Sequence, residues 1–410
     1  MTQSTATRPD QDVRRARAAV GVLFFTNGAM FANVIPRYPQ IKTELAMSNT
    51  AYGLSVAAFP TGALIAGTAA GLLVRRFGSA SVAAVGMVLT GVGVIAAGLA
   101  PVTVVFALSL FVAGSLDAIA DVAQNAHGLR VQRRYGRSII NSFHAIWSVG
   151  AVTGGLMAAG AIALGLSRGV HLVLSSVLLA VIALLAWRFC LPGPEVEPVE
   201  EGTPAAAAGR LPVGPATALT VGALVLIAVA GAVVEDSGNS WATLYIGDSL
   251  GAPAAIATLG YIALVGAQFV GRLFGDRLVD RFGQRVIARS GGAFAAAGMG
   301  LALAFPSVGG TVLGFAAAGF GVATLVPAAM HEADELPGLR PGTGLTIVSW
   351  LMRLGFLLSP PVVGAVADAT SLRAGLLVVP VVGLIVVLTA GVLSQRPNRP
   401  HAPGETTPSA

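Results

Sequence analysis

Charge is what this sequence has least of. Only 11% of its 410 residues are Asp, Glu, Lys or Arg, whereas an ordinary soluble domain is roughly a quarter charged. With 55% hydrophobic residues, such a chain calls for lipid as its solvent and leaves no room for a large soluble domain. Lysine occurs once, as Lys42, and Ile41 precedes it, so no G-x-x-x-x-G-K-[ST] phosphate loop exists and the chain is not itself an ATP-driven pump. One cysteine, Cys190, excludes an intramolecular disulfide. The five histidines are scattered, and neither a metal-ligand cluster nor a Ser-His-Asp constellation can be assembled. The expectation is a non-enzyme with no cofactor and no metal. Net charge is +6 and pI near 10.2, but the basic residues are dispersed among short loops, which excludes a nucleic-acid surface.

What is present is a succession of apolar runs, each long enough to cross a bilayer. They fall near residues 18–36, 51–74, 80–99, 102–128, 139–164 and 170–190, then near 215–236, 253–275, 288–305, 308–330, 343–366 and 373–393. This predicts an all-α membrane protein with twelve spans, organised as six-helix bundles over 18–190 and 215–394. The segments 1–17, 191–214 and 395–410 read as an amino-terminal tail, a linker and a carboxyl-terminal tail; the linker is rich in Pro, Glu and Ala, which suits an unfolded connection. The apolar run after residue 17 has no clear small-residue cleavage site, so it reads as a retained first span. With the amino terminus inside, only Arg37, Lys42, Arg168 and Arg373 fall outside and only Arg272 and Arg353 fall within spans. The remaining basic residues lie on the inner side, predicting both termini in the cytoplasm of a bacterium with the spans in its inner membrane.

An internal repeat supports two related halves. Leu73, Arg76, Phe77 and Gly78 recur 205 residues later as Leu278, Arg281, Phe282 and Gly283, and the same offset carries Gly150 onto Gly355. Duplicated halves put a binding site between them. The loop Gly275 to Arg285, G-D-R-L-V-D-R-F-G-Q-R, resembles the inner loop of the major facilitator superfamily. That resemblance implies two pseudo-symmetric six-helix bundles rocking about a central cavity. The first-half copy, Gly71 to Gly78, departs from the pattern because Arg75 stands where an acid is usual. Within the superfamily, Gly114 to Asp121, G-S-L-D-A-I-A-D, is similar to the fucose-permease branch and its bacterial relatives, with Asp117 at the position of their acid. Ser142 to Gly150 and Glu235 to Tyr245 resemble segments of those relatives too. Two departures stand out: Ala32 and Asn33 replace the first-span acid of that branch, and the fifth span lacks the Gly-Pro pair of many drug:proton antiporters.

Ionisable groups inside apolar spans are the functional candidates, since retaining them there is costly. Asp117, Asp121 and Asn125 are spaced by four and share one helix face. Desolvation disfavours the charged form of a carboxylate, which suits proton exchange. The proton-coupling candidates are Asp117, Asp121, His144 and Glu235; the plain alternative for the two aspartates is a latch with an arginine. Substrate-binding candidates are Asn27, Asn33, Asn125, Asn141, Trp147, Asn239, Trp241, Trp350 and Arg353. His144 and Trp147 share a face one turn apart and combine an exchangeable proton with a flat apolar ring, although both also suit a packed core. Glu235 and Asp236 are expected to close the seventh span, with a helix break in the Gly/Ser-rich stretch after them. Arg353 suits an anionic solute or a partner acid. Arg75, Arg76, Arg272, Asp276, Asp280 and Arg281 are the gate or latch candidates, with Arg272 and Asp276 expected to pair at i, i+4.

These features predict a monomeric, proton-coupled secondary transporter whose partners are a small solute, protons and the bilayer. Uptake of a sugar or similar polar compound is the first expectation, export of a drug-like metabolite the alternative. A non-transporting receptor is the reading from another class, disfavoured by the lack of an output domain.

Overall fold

In hydrocarbon every backbone polar group must be satisfied within the segment, so long apolar runs fold as helices. The computed structural model describes residues 10–193, 214–336, 339 and 342–394, and shows twelve helical segments long and apolar enough to cross a membrane. We label the main helices α1 (Gln11–Ala32), α2 (Asn49–Phe77), α3 (Ser79–Gly98), α4 (Thr103–Tyr135), α5 (Ile140–Ala163) and α6 (Arg168–Trp187) in the first half. The second half holds α7 (Pro215–Leu244), α8 (Leu259–Phe282), α9 (Gln284–Ala304), α10 (Val308–Val322), α11 (Leu325–Asp334), α12 (Thr343–Ala369) and α13 (Val378–Thr389). No strand occurs among the described residues.

Several boundaries differ from the hydropathy reading for identifiable reasons. Helix α1 begins at Gln11, within the segment expected to be a tail, where Arg17 is anchored by a 2.7 Å hydrogen bond to the Tyr135 hydroxyl. Helix α7 does not stop at Asp236. It continues to Leu244 and ends in a π-helical turn, Tyr245–Ser249. The serines expected to break it are absorbed instead: Ser237 donates to the Val233 carbonyl at 2.7 Å and Ser240 to Asp236 Oδ1 at 3.1 Å. The tenth span splits into α10 and α11 because Pro327 has no N–H to offer the carbonyl four residues back. Most of the expected linker, 194–213, and the tail 395–410 lie outside the described residues.

The repeat is visible in the backbone. Gly78 ends α2 at φ 80° and Gly283 ends α8 at φ 83°, a conformation that favours glycine. Arg76 lies 5.5 Å over the Phe77 ring and Arg281 lies 5.4 Å over the Phe282 ring.

Lipid supplies no hydrophobic drive between helices, so close packing must hold the bundle together. Glycines allow it. Gly28 of α1 faces the Trp147 carbonyl of α5 and Gly150 faces the Phe25 carbonyl; Gly62 and Gly114 do the same for α2 and α4. Between the halves, Gly53 of α2 meets the Pro360 carbonyl of α12, Gly364 of α12 meets the Asn49 carbonyl, and Gly155 of α5 packs on Tyr261 and Ile262 of α8.

Candidate functional site

The two halves enclose a cavity of about 2180 Å³, walled by α1, α2, α4 and α5 on one side and α7, α8, α11 and α12 on the other. It opens at the end of the bundle that carries the start of α1 and Ser394. Arg14, Arg17, Asn141, Asp280 and His331 stand at that mouth, and the Ser394 amide is bonded to Glu332 close by.

At the cavity wall three helices are tied through one amide. Asn27 of α1 donates to Asp117 Oδ1 of α4 at 2.9 Å and accepts from the Trp147 indole of α5 at 2.7 Å. This fixes the orientation of the amide and leaves Asp117 with a neutral partner. One turn further toward the mouth, Asp121 Oδ1 accepts from Gln124 at 3.0 Å and from Asn125 at 3.1 Å. Neither aspartate makes an ion pair among the described residues. His144 and Arg353 lie within electrostatic reach of Asp121.

The facing half holds a second polar group. Glu235 Oε2 accepts from Gln268 at 2.6 Å and lies 3.6 Å from the Arg272 guanidinium, joining α7 to α8. Trp350 and Arg353 project from α12, and Phe25, Phe269 and Phe356 add aromatic surface.

The opposite end is shut. Tyr52 of α2 packs edge-on against Trp241 of α7 at 5.0 Å and against Tyr38 at 5.9 Å, and its hydroxyl donates to the Ser240 carbonyl at 2.6 Å. At the rim, the Asp368 carboxylate of α12 accepts from the Asn49 and Thr50 amides at 2.9 and 2.8 Å, capping α2 from the other half.

Asp117, Asp121, His144, Glu235, Asn27, Asn141, Trp147, Trp350, Arg353, Arg272, Asp276 and Asp280 therefore meet around one cavity. The other candidates do not reach it. Asn33, at the end of α1, is buried against α6, accepting from His171 at 2.9 Å, while Arg37 fastens the same imidazole at 3.3 Å. Asn125 turns back to the Asp121 carbonyl at 2.9 Å, Asn239 lies off the cavity wall, and Trp241 belongs to the closed end with 0% exposure. Arg75, Arg76 and Arg281 stay at the ends of α2 and α8, away from the lining. The expected Arg272–Asp276 pair is replaced by the Arg272–Glu235 contact across helices. Among the described residues no group of three or more His, Cys, Asp or Glu is placed to hold a metal.

Sequence reasoning did not single out Gln268, Tyr52, Ser240 or Asp368. Gln268 sits 33 positions from its partner and Asp368 sits 319 from Asn49, separations no local pattern encodes.

The sequence profile of the Major Facilitator Superfamily matches residues 20–335 and again 236–409. The chain belongs to this superfamily. It is therefore a transporter of a non-enzymatic family and a multi-pass membrane protein. It is 29% identical over 390 residues to membrane protein MosC of Rhizobium meliloti, covering 95% of this chain and 92% of the relative. It is also 29% identical to the uncharacterized transporter y4wD of Sinorhizobium fredii, covering 91% of this chain and 96% of that one. Among solved structures, the fold matches the nucleoside transporter NupG with a TM-score of 0.69 at 13% identity, over 93% of this chain and 98% of the other. A bacterial homolog of the lysosomal transporter Spinster, in an inward-facing unoccupied conformation, matches with a TM-score of 0.70 at 14% identity, over 93% and 98%.

Proposed function

We propose that this protein is a proton-coupled secondary carrier that moves a small solute across the bacterial inner membrane by exposing the central cavity alternately to either side. The observation carrying this reading is the Trp147–Asn27–Asp117 unit: a carboxylate on the cavity wall, held by an amide and without an arginine or lysine partner among the described residues. Such a group exchanges a proton with the cavity instead of being spent in a latch. Both termini are assigned to the cytoplasm from the basic residues, so the cavity opens inward here.

For the solute, Trp147 and Trp350 offer ring faces while Arg353, His144 and Glu235 offer polar contacts, a combination suited to a sugar or similar ring-bearing polar compound. The fourth-span resemblance to the fucose-permease branch supports the same placement. Phe25, Phe269, Phe356, Met330 and Met352 on the same wall favour a second reading, export of an amphipathic metabolite.

A thermal-shift screen of the purified protein against sugars, organic acids and lipophilic compounds identifies the ligand, since a ligand favouring the folded state raises its apparent stability. In proteoliposomes an imposed proton gradient then drives movement of that ligand. Asp117→Asn abolishes gradient-driven accumulation and retains exchange. Unchanged gradient-driven movement in Asp117→Asn would remove the role given to Asp117.

A further inference from the structure

A second carboxylate lies beneath the closed end of the bundle, outside the cavity described above. Asp236 of α7 is 6% exposed. Its Oδ1 accepts from Ser240, and among the described residues its Oδ2 has no hydrogen-bond partner and no cation pairs with it. The groups around it come from both halves. The Ser359 hydroxyl of α12 adjoins the carboxylate without an aligned partner of its own among the described residues, and the buried Tyr38 hydroxyl of the first half, likewise unpartnered among them, lies within electrostatic reach of it. Tyr52, the residue that seals this end by bonding the Ser240 carbonyl, also lies within its field.

The charged groups on the helices packed against α7 are committed elsewhere or make no pair with it. Arg272 of α8 pairs with Glu235, and Arg37 is bonded to His171 and to the Leu166 carbonyl. Arg353 of α12 and His331 of α11 line the cavity. Lys42, Asp248 and Asp368 sit toward the rim, where Asp368 caps α2. Glu235, its chain neighbour, adds charge of the same sign.

We infer that Asp236 is a second proton-binding site, belonging to the closed end, and that its proton is what allows this end to stay shut. A bare carboxylate in a dry pocket with no counter-charge is strongly disfavoured, so the closed state holds Asp236 as a carboxylic acid, whose proton is the hydrogen its unpartnered oxygen needs. Opening this end admits water to Asp236, which then releases the proton to the outer solution. Resting on the carrier reading above, this assigns the outer opening step to Asp236 and leaves the cavity-side exchange to Asp117.

The sign follows from linkage. A state that binds one more proton than its alternative is favoured at low pH, and the closed-to-open ratio falls up to tenfold per pH unit through the transition. The test uses spin labels at Thr43→Cys and Thr370→Cys, exposed positions on opposite halves at the closed end, in a Cys190→Ser background reconstituted in nanodiscs. Distance distributions are recorded from pH 5 to pH 9, in potassium and in sodium chloride. We expect the short-distance population to fall with rising pH in the parent, to persist at every pH in Asp236→Asn and Asp236→Ala, and to keep its pH response in Asp117→Asn. Tyr38→Phe should shift the midpoint without removing the response. A pH response that survives in both Asp236 variants, or a parent with no pH response, overturns the inference. Closure driven by sodium instead of pH also overturns it, in favour of a metal cation. If pH has no effect but the ligand found by the thermal-shift screen changes the distances, the carrier reading stands alone; if nothing changes them, both fail.

Discussion

Replacing Gly150 with alanine should loosen the candidate site without touching any of its polar atoms. A methyl group there would lie 2.9 Å from the Phe25 carbonyl carbon, inside the optimal carbon separation of about 3.5–4.0 Å, so α1 and α5 must part by roughly 1 Å. The same two helices are joined by the Trp147 indole on Asn27 at 2.7 Å. Lengthened by that amount, the contact passes about 3.5 Å and no longer counts as a hydrogen bond. Overpacking of this kind costs about 1–3 kcal/mol, and the lost bond is about 1 kcal/mol of that total. A double-mutant cycle separates the two. Trp147→Phe should destabilise the parent by about 1–2 kcal/mol, by removing the donor and leaving the Asn27 oxygen unsatisfied, and should have almost no such effect in Gly150→Ala. Reversible chemical unfolding in mixed micelles measures both values. Full additivity, with Trp147→Phe costing the same in either background, would refute the link between glycine packing and the site; Gly160→Ala, which meets nothing within 4 Å, is the control.

Two further perturbations address the gate and the facing half. Asp368→Ala removes both acceptors from the α2 amino terminus, and a helix cap of about 1 kcal/mol corresponds to a roughly fivefold loss of the state closed at this end, read from spin-label distances between Thr43→Cys and Thr370→Cys; an unchanged distribution would show the cap to be incidental. Glu235→Gln breaks the contact with Arg272, and because that pair is partly exposed the change in unfolding free energy should stay below about 1 kcal/mol while ligand affinity in the thermal-shift assay falls; a large stability loss with intact affinity would make the group structural.

The sequence made the number of spans and the repeated loop legible because hydrocarbon imposes length and composition locally. Gly78 and Gly283 could be paired from the sequence because each terminates a helix by its own backbone geometry. The polar candidates could be placed in spans, and twelve of them converge on the cavity, since an ionisable residue in an apolar run has few other places to go. Their partners were not legible. Locally Asn27 is only an amide in a span, yet it bridges Asp117 and Trp147, 90 and 120 positions away. The expected break after Asp236 does not form because burial overrides the local helix propensity: Ser237 and Ser240 find acceptors inside α7, and the helix continues. Asn33 and Trp241 satisfied every local criterion for a binding residue, but their helices turn them into His171 and Tyr52.

The central claim is that the two halves move as bodies about the cavity, so that opening one end closes the other. Spin-label pairs at both ends measure this directly: Thr43→Cys with Thr370→Cys at the end shut here, and Ser138→Cys with Arg277→Cys at the open mouth. The account predicts that any condition lengthening the first distance shortens the second, with matching populations. Distances that change independently at the two ends, or a shut end that opens while the mouth remains open, would contradict it.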